Sequence, residues 1–277
     1  MPYRPPTTEP PVRSVVPFFA ITFGITWGML VVYVLAPEWV REWVGPISSR
    51  HPLFILAVYA PAIAALILVL RHTGLPGLRG FLSRLRLWRM PAVWWVVLLV
   101  LLPACFLAGA ALGGGLEGWL PGLPGAGALL SAAAFMLVLG PVEELGWRGY
   151  AQPLLQRVMA PLWAGLLVSV IWSVWHLPAF YLSGTVQSAW SFTPFFIGSV
   201  GAGMILTGLF NAARGSLLLA ALFHFQLNNP LWPDAQPWDM YFFAGLGVVV
   251  VWLDRRRMLA PPGSGDGGVT GVTRAGV

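Results

Sequence analysis

Apolar runs of about 20 residues recur along nearly the whole chain, and they constrain its fold more than any other feature. A helix needs about 20 apolar residues to cross the hydrocarbon core of a bilayer. Of the 277 residues, 57% are hydrophobic and only 9% are charged, whereas about 25% of an average soluble domain is charged. These values exclude a disordered chain and an ordinary soluble enzyme. They predict an all-α, polytopic membrane protein.

The polar breaks between the runs predict about eight transmembrane helices in one membrane domain, residues 15–258. The predicted spans are 15–36, 52–70, 91–113, 127 into the 140s, 161–182, 192–213, 216–229 and 240–253. Residues 71–90 carry five arginines among leucines and are predicted to lie in the membrane interface. The proline-rich residues 1–14 predict an extended cytoplasmic tail, and the Gly/Pro-rich residues 259–277 predict a disordered C-terminal tail.

The arginines predict how the domain is oriented in the membrane. All 16 basic residues are Arg; with eight spans, 14 of them fall on the side of the termini and only Arg41 and Arg50 on the other. Because basic residues are enriched in cytoplasmic loops, both termini are predicted to be cytoplasmic, in the cell membrane if the source is prokaryotic. The arginines form no basic groove, so the net charge of +6 indicates an anionic lipid surface as partner and no nucleic acid.

Ionisable residues inside a span cost about 2.5–3.5 kcal/mol at mid-helix and indicate a functional site. The first candidate is the segment P-V-E-E-L-G-W-R-G-Y, residues 141–150. Glu144 and Arg148 have the i, i+4 spacing of a helical ion pair. Adjacent helical residues point about 100° apart, so Glu143 is left as the unpaired carboxylate and candidate general base. The alternative is that span four ends here and the charges lie among the lipid headgroups.

Two later spans carry the other candidates. Trp172 and His176 share one helix face, just before Pro178. His224 and Asn228 share another face, and both can donate hydrogen bonds to an oxyanion. Alone, each pair could instead be an interfacial aromatic belt or a polar contact between helices. Together with Glu143 they favour a buried hydrolytic site.

The three motifs resemble, in order and interval, those of the CPBP family. These are the CAAX-protease and bacteriocin-processing intramembrane endopeptidases, relatives of the Ras-converting CAAX endopeptidase. The motifs are E-E-x-x-x-R at 143–148, an aromatic residue four before a histidine at 172–176, and H-x-x-x-N at 224–228. The resemblance spans roughly residues 128–229. Trp172 departs from the family pattern, which commonly has Phe, and this puts the shape of the pocket in doubt.

The resemblance implies an intramembrane endopeptidase and a role for each motif residue. Glu143 and His176 would activate a water molecule, and His224 and Asn228 would bind the tetrahedral oxyanion. The supporting residues would be Glu144, Arg148 and Trp172. The implied substrate is a hydrophobic or lipidated, CAAX-type protein or peptide. Because Glu143 is placed at the cytoplasmic end of span four, substrate is predicted to enter from that side.

The metal dependence and two other functions stay open. The family has been described both as metalloproteases and as glutamate-type proteases. Glu143, His176 and His224 could hold a zinc ion with an open position, but Asn228 is a poor zinc ligand and a good oxyanion donor, which favours a scheme without a cofactor. The other functions are a transporter or proton-relay protein and a non-catalytic membrane immunity or scaffold protein. The sequence lacks the inverted repeats of many transporters.

Overall fold

The computed structural model describes residues 8–46, 48–120, 122–182, 184–262, 264 and 267–273. Over these residues the secondary structure is helical, without a β-strand, and this confirms the all-α membrane class. The α-helices are α1 (Val15–Leu35), α2 (Pro37–Trp43), α3 (Pro52–Ser83), α4 (Ala92–Val96), α5 (Leu102–Gly113), α6 (Ala126–Leu139), α7 (Glu144–Gly146), α8 (Gln152–Leu155), α9 (Pro161–Trp175), α10 (Phe192–Ala212), α11 (Leu217–Leu227), α12 (Trp238–Leu253) and α13 (Arg255–Met258).

Six helical stretches of the described chain are long and apolar enough to cross a membrane. They are Val12–Tyr33, Pro52–Arg86, Ala92–Gly113, Ala126–Leu155, Pro161–Tyr181 and Phe192–Ala212. The seventh and eighth predicted spans correspond to the shorter apolar helices α11 and α12. At 1.5 Å per residue α11 covers about 16 Å, roughly half the hydrocarbon core. The chain is therefore an integral membrane protein with six membrane-length stretches and two shorter apolar helices.

The fourth stretch continues well past the point where its end was predicted. After α6 it passes through a 3₁₀ turn, Pro141–Glu143, then α7, a π-helical turn, Trp147–Ala151, and α8. The prediction that this span ends in the 140s was wrong, because the charged residues there are buried inside the protein and the apolar helical stretch runs on to Leu155. The π-helical turn precedes Pro153, whose ring would clash with a regular helix. Glu143 therefore lies near the middle of the stretch.

One arginine of the segment predicted to lie in the membrane interface is buried inside the protein. Gly74, with φ 64° and ψ −168°, breaks α3, and a residue with a Cβ adopts such a backbone only with strain. Beyond this break the side chain of Arg84 is completely buried. It donates hydrogen bonds of 2.9 Å to the backbone carbonyls of Gly215, Gly149 and Val272. Arg84 thus ties three distant segments together.

The C-terminal tail was predicted to be disordered, but residues 267–273 pack against the helices. Val269 and Val272 are buried, and Thr273 donates from its hydroxyl to the carboxylate of Glu9 at 2.8 Å. The segment is ordered because its valines are buried and its backbone accepts a hydrogen bond from Arg84. Its Gly/Pro content did not indicate these contacts. Residues 263, 265, 266 and 274–277 of that predicted tail, and residues 1–7 of the N-terminal one, lie outside the described residues.

These contacts bring together segments that the sequence placed on one side of the membrane. Arg157 donates to the carboxylate of Glu9 at 2.8 Å and to the carbonyl of Thr270 at 2.7 Å, and Asn211 accepts from the amide of Val269. We call this end of the helix bundle, where residues 9–14, 84–87, 157, 211–216 and 269–273 meet, the tail end. The common side of these segments agrees with the predicted alternation of spans. Their cytoplasmic orientation stays a prediction.

Candidate active site

A cavity of about 850 Å³ lies between the helices, and the candidate catalytic residues line it. Glu143, Trp172, His176, His224 and Asn228 all border this space, although they come from three different stretches of the chain. The structure therefore brings the three sequence motifs together. Glu144 and Arg148, predicted as supporting residues, are buried directly behind this lining.

Trp172 positions both members of the predicted water-activating pair. Its indole Nε1–H donates to the Glu143 carboxylate at 2.8 Å, and its backbone carbonyl accepts from His176 Nδ1 at 2.8 Å. A carbonyl oxygen can only accept, so Nδ1 of His176 carries a proton, and in the neutral imidazole Nε2 then keeps its lone pair. His176 Nε2 and the Glu143 oxygen that does not accept from Trp172 are thus the groups placed to bind a water molecule. The sequence marked Trp172 as a wall of the pocket and did not show these hydrogen bonds.

His224, of the third motif, is held by Glu144 of the first motif. The distance from His224 Nδ1 to Glu144 Oε1 is 2.6 Å, and the other Glu144 oxygen lies 3.4 Å from Arg148 Nη1. The predicted i, i+4 ion pair is therefore present. The guanidinium also lies 5.3 Å from the ring centroid of Trp172, within cation–π range. With Nδ1 bound to a carboxylate, His224 turns Nε2 toward the cavity.

Gly140 makes room for the predicted oxyanion donors. A Cβ on this glycine would lie 2.9 Å from His224 Nε2 and would overlap Asn228 Nδ2. Both nitrogen atoms therefore border the same glycine, which places the His224 and Asn228 side chains next to each other. Sequence reasoning did not select Gly140. Its position three residues before Glu143, followed by Pro141, was the available signal.

Most of the remaining cavity lining is apolar, with two carboxylates that the sequence did not single out, the exposed Asp234 and the buried Asp239. Asp239 lines the cavity and is only 2% exposed. Its side chain accepts a hydrogen bond from the backbone amide of Met240 at 2.9 Å, as expected in the first turn of a helix. The sequence placed this aspartate at the end of a span, where an acidic residue is common and does not indicate a functional site.

The predicted zinc ligands do not form a metal-binding group. Within the described part of the chain, no three His, Cys, Asp or Glu side chains lie close enough to hold a metal ion. Glu143, His176 and His224 as arranged here therefore do not make a zinc site.

The cavity opens away from the tail end of the bundle. The exposed residues Trp39, Val186 and Ala189 line its outer part, and all belong to segments that join helices at the opposite end. The premise for cytoplasmic entry was that Glu143 lies at the cytoplasmic end of span four. That premise was wrong, because the carboxylate is in the middle of the stretch.

Comparisons with known proteins match the part of the chain that carries the three motifs. Residues 125–229 match a family model described as Type II CAAX prenyl endopeptidase Rce1-like. A curated relative, CAAX prenyl protease 2 of Methanococcus maripaludis, is 37% identical over 101 residues, which are 34% of this chain and 37% of the relative. The match thus spans little more than a third of that relative's length. The resemblance expected from the motifs is confirmed over this segment.

Proposed function

Since residues 125–229 match the Rce1-like CAAX prenyl endopeptidase family, we propose that this chain is an intramembrane endopeptidase. It hydrolyses a peptide bond in a hydrophobic or lipidated protein substrate. One observation supports this most strongly: Glu143, His176, His224 and Asn228 line one cavity inside a mostly apolar helix bundle. Ionisable and polar side chains are costly in a membrane interior, so their presence there indicates a functional site.

Glu143 and His176 activate the attacking water in this proposal. Trp172 holds the carboxylate through its indole and the imidazole through its backbone carbonyl, so both bases are fixed before substrate arrives. Hydrogen bonding from Trp172 occupies one carboxylate oxygen and leaves the other for the water proton. A general base placed in this way contributes about 10²–10⁴-fold to a hydrolytic rate.

His224 and Asn228 stabilise the negative charge that develops on the scissile carbonyl oxygen. The Asn228 amide donates directly. His224 donates from Nε2 as an imidazolium, and Glu144 at 2.6 Å from Nδ1 balances that charge. Arg148 in turn compensates the Glu144 carboxylate. Donors that are fixed where charge develops need no reorganisation during the reaction.

The cavity indicates a substrate that is extended and apolar near the cleaved bond. A volume of about 850 Å³ is large enough for several side chains or part of a lipid chain, since pockets for small molecules measure about 300–1,000 Å³. The name of the Methanococcus relative refers to a CAAX prenyl protease. A prenylated C-terminal peptide is therefore the first substrate to assay.

The experiment is cleavage of a fluorogenic prenylated peptide by the purified protein in detergent. Glu143→Gln and His224→Ala are expected to lower kcat at least about 100-fold, the range for losing a general base or an oxyanion donor. Glu117→Gln changes an exposed loop carboxylate and is the matched control. Unchanged cleavage by either active-site variant would contradict the assignment, and so would an inactive wild-type protein on prenylated, lipidated and unmodified hydrophobic peptides alike.

The proposed chemistry requires no metal, and this is tested separately. Dialysis against a zinc chelator is expected to leave the cleavage rate unchanged, because the described carboxylates and imidazoles work through hydrogen bonds alone. Metal content of the active preparation is measured in parallel. Activity that disappears on dialysis and returns with one equivalent of zinc would contradict the metal-free scheme and leave the protease assignment intact.

A further inference from the structure

The two ends of the helix bundle differ sharply in charge and in their relation to the cavity. The tail end contains both described chain termini and the buried contacts of Arg84 and Arg157. The opposite end, which we call the cavity end, consists of the segments that join α1 to α3, α5 to α6, α9 to α10 and α11 to α12.

The cavity occupies the half of the bundle that lies toward the cavity end. Helices that run away from the tail end line it with their second halves, as Thr26 of α1 and Trp172 of α9 show. Helices that return line it with their first halves, as Phe54 of α3 and Phe195 of α10 show. Helices of both directions thus contribute the half that is nearer the cavity end. The direction in which the helices run therefore shows on which side of the bundle the cavity lies.

The candidate catalytic groups form the inner end of this cavity. Trp172 is 11 residues beyond the first residue of α9, Pro161, which corresponds to about 16 Å along the helix axis from the tail end. With a hydrocarbon core about 30 Å thick, this places the group near the middle of the membrane. Substrate therefore reaches it through the cavity end, since Tyr150, Trp147 and Phe18 fill the bundle on the other side.

The arginines are concentrated at the tail end, counted here together with the adjoining segments 71–90 and 254–258. Of the fourteen arginines that the structure describes, eleven lie at the tail end and two, Arg41 and Arg50, at the cavity end. The remaining one, Arg148, is buried between the two ends. The acids show the opposite distribution. The cavity end carries Glu38, Glu42, Glu117, Asp234 and Asp239, whereas the tail end has Glu9 and Asp254 among the described residues. Basic loops are enriched on the cytoplasmic side of membrane proteins, so this asymmetry favours a cytoplasmic location for the tail end.

We propose that the cavity opens on the extracytoplasmic side of the membrane. The protein to be cleaved is then an exported or membrane-anchored one that presents an apolar segment at that surface. The statement about the substrate rests on the proposed endopeptidase function. The direction of the opening is argued separately, from the distribution of arginines and the direction in which each helix runs. It replaces the cytoplasmic entry that the sequence had suggested. The natural substrate then reaches the site from outside the cell, and the prenylated peptide assayed in detergent tests the cleavage chemistry alone.

A pair of matched cysteine variants tests the direction of the opening without reference to activity. Ser188 lies at the cavity end and Ser83 at the tail end; both are exposed, and each hydroxyl donates to the carbonyl three residues earlier at 2.7 Å. Ser188→Cys and Ser83→Cys are made in a Cys105→Ala background, because Cys105 is the only native cysteine. Ala189→Cys serves as a second cavity-end position.

Each variant is expressed in a bacterial host and treated, in intact cells, with a membrane-impermeant maleimide. We expect labelling of Ser188→Cys and Ala189→Cys, and labelling of Ser83→Cys only after the membrane is permeabilised. The reverse pattern, or equal labelling of both ends in intact cells, would overturn the proposal. A cytosolic thiol protein monitored in the same cells shows that the membrane stayed closed.

Sealed membrane vesicles connect the opening to cleavage. A charged, impermeant peptide with an apolar central segment is expected to be cleaved by right-side-out vesicles directly, and by inside-out vesicles only after detergent is added. The opposite preference would overturn the proposal. If neither preparation cleaves any peptide even in detergent, the endopeptidase function fails while maleimide labelling still decides where the cavity opens.

Discussion

Replacing Gly140 by alanine tests the proposed oxyanion site with a single methyl group. The new Cβ would overlap Asn228 Nδ2 and would approach His224 Nε2 to 2.9 Å and His224 Cδ2 to 3.1 Å. Carbon atoms do not pack at such distances, so the amide must move out of its position and the imidazole must shift. Both groups are proposed donors to the oxyanion, so the methyl group is expected to push both of them out of their donor positions.

The expected size of the effect follows from what is lost. Removing one oxyanion donor costs about 10²–10³ in kcat, or about 2.7–4 kcal/mol. The backbone itself tolerates alanine, because Gly140 has φ −69° and ψ −49°, which is ordinary helical geometry, and alanine favours a helix over glycine by about 1 kcal/mol. We therefore expect Gly140→Ala to lose at least about 100-fold in kcat while its unfolding temperature in detergent stays near that of the wild type.

The matched control lies in the same helical stretch. Gly127 is exposed, and a Cβ there would meet open space among the described residues, so Gly127→Ala is expected to keep full activity. A double-mutant cycle identifies the cause, since Gly140→Ala should have a much smaller effect in an Asn228→Ala background. Equal kcat values for Gly140→Ala and Gly127→Ala would refute the assignment of this corner as the oxyanion site.

Three further substitutions test the surroundings of the site. Trp172→Phe keeps an aromatic wall but removes the 2.8 Å hydrogen bond to the Glu143 carboxylate; hydrogen bonds to charged groups contribute about 1.5–3 kcal/mol, so kcat/KM should fall at least about tenfold, and an unchanged value would show that the bond does not position the base. Glu144→Gln leaves the fully buried Arg148 without its counter-charge, which costs about 3–5 kcal/mol; the unfolding temperature in detergent should drop markedly, and a wild-type value would contradict a structural ion pair. Arg84→Met removes three hydrogen bonds to carbonyls; limited proteolysis should then release the C-terminal segment sooner than in the wild type, and equal release would show that Arg84 does not retain it.

The sequence could predict the features that depend on local pattern. Apolar runs of membrane length identify helices because each run satisfies its backbone hydrogen bonds internally, and the described structure has the expected all-α architecture. The i, i+4 spacing of Glu144 and Arg148 predicted an ion pair, since that spacing alone places the two side chains on one helix face, and the pair is present at 3.4 Å. The spacing of the motifs likewise selected the residues that line the cavity.

The hydropathy pattern misled where charges are buried by tertiary contacts. A drop in hydropathy after residue 142 resembled the end of a span, yet the helix continues to Leu155 because other helices cover Glu144 and Arg148. The tail residues 267–273 resembled a disordered segment, yet they supply a carbonyl to Arg84. In both cases the partner lies far away in the chain, and composition in a local window contains no information about it.

Only the tertiary structure decided how the motifs act together and where their cavity opens. The contact between Glu144 and His224 joins residues 80 positions apart, Trp172 connects Glu143 to His176 through its own side chain and backbone, and Gly140 is significant only because α11 packs against it. Helical periodicity determines which face of one helix a residue occupies. Which neighbour that face meets, and at what depth, depends on how all the helices pack, because the packing energy is shared among residues distant in the chain.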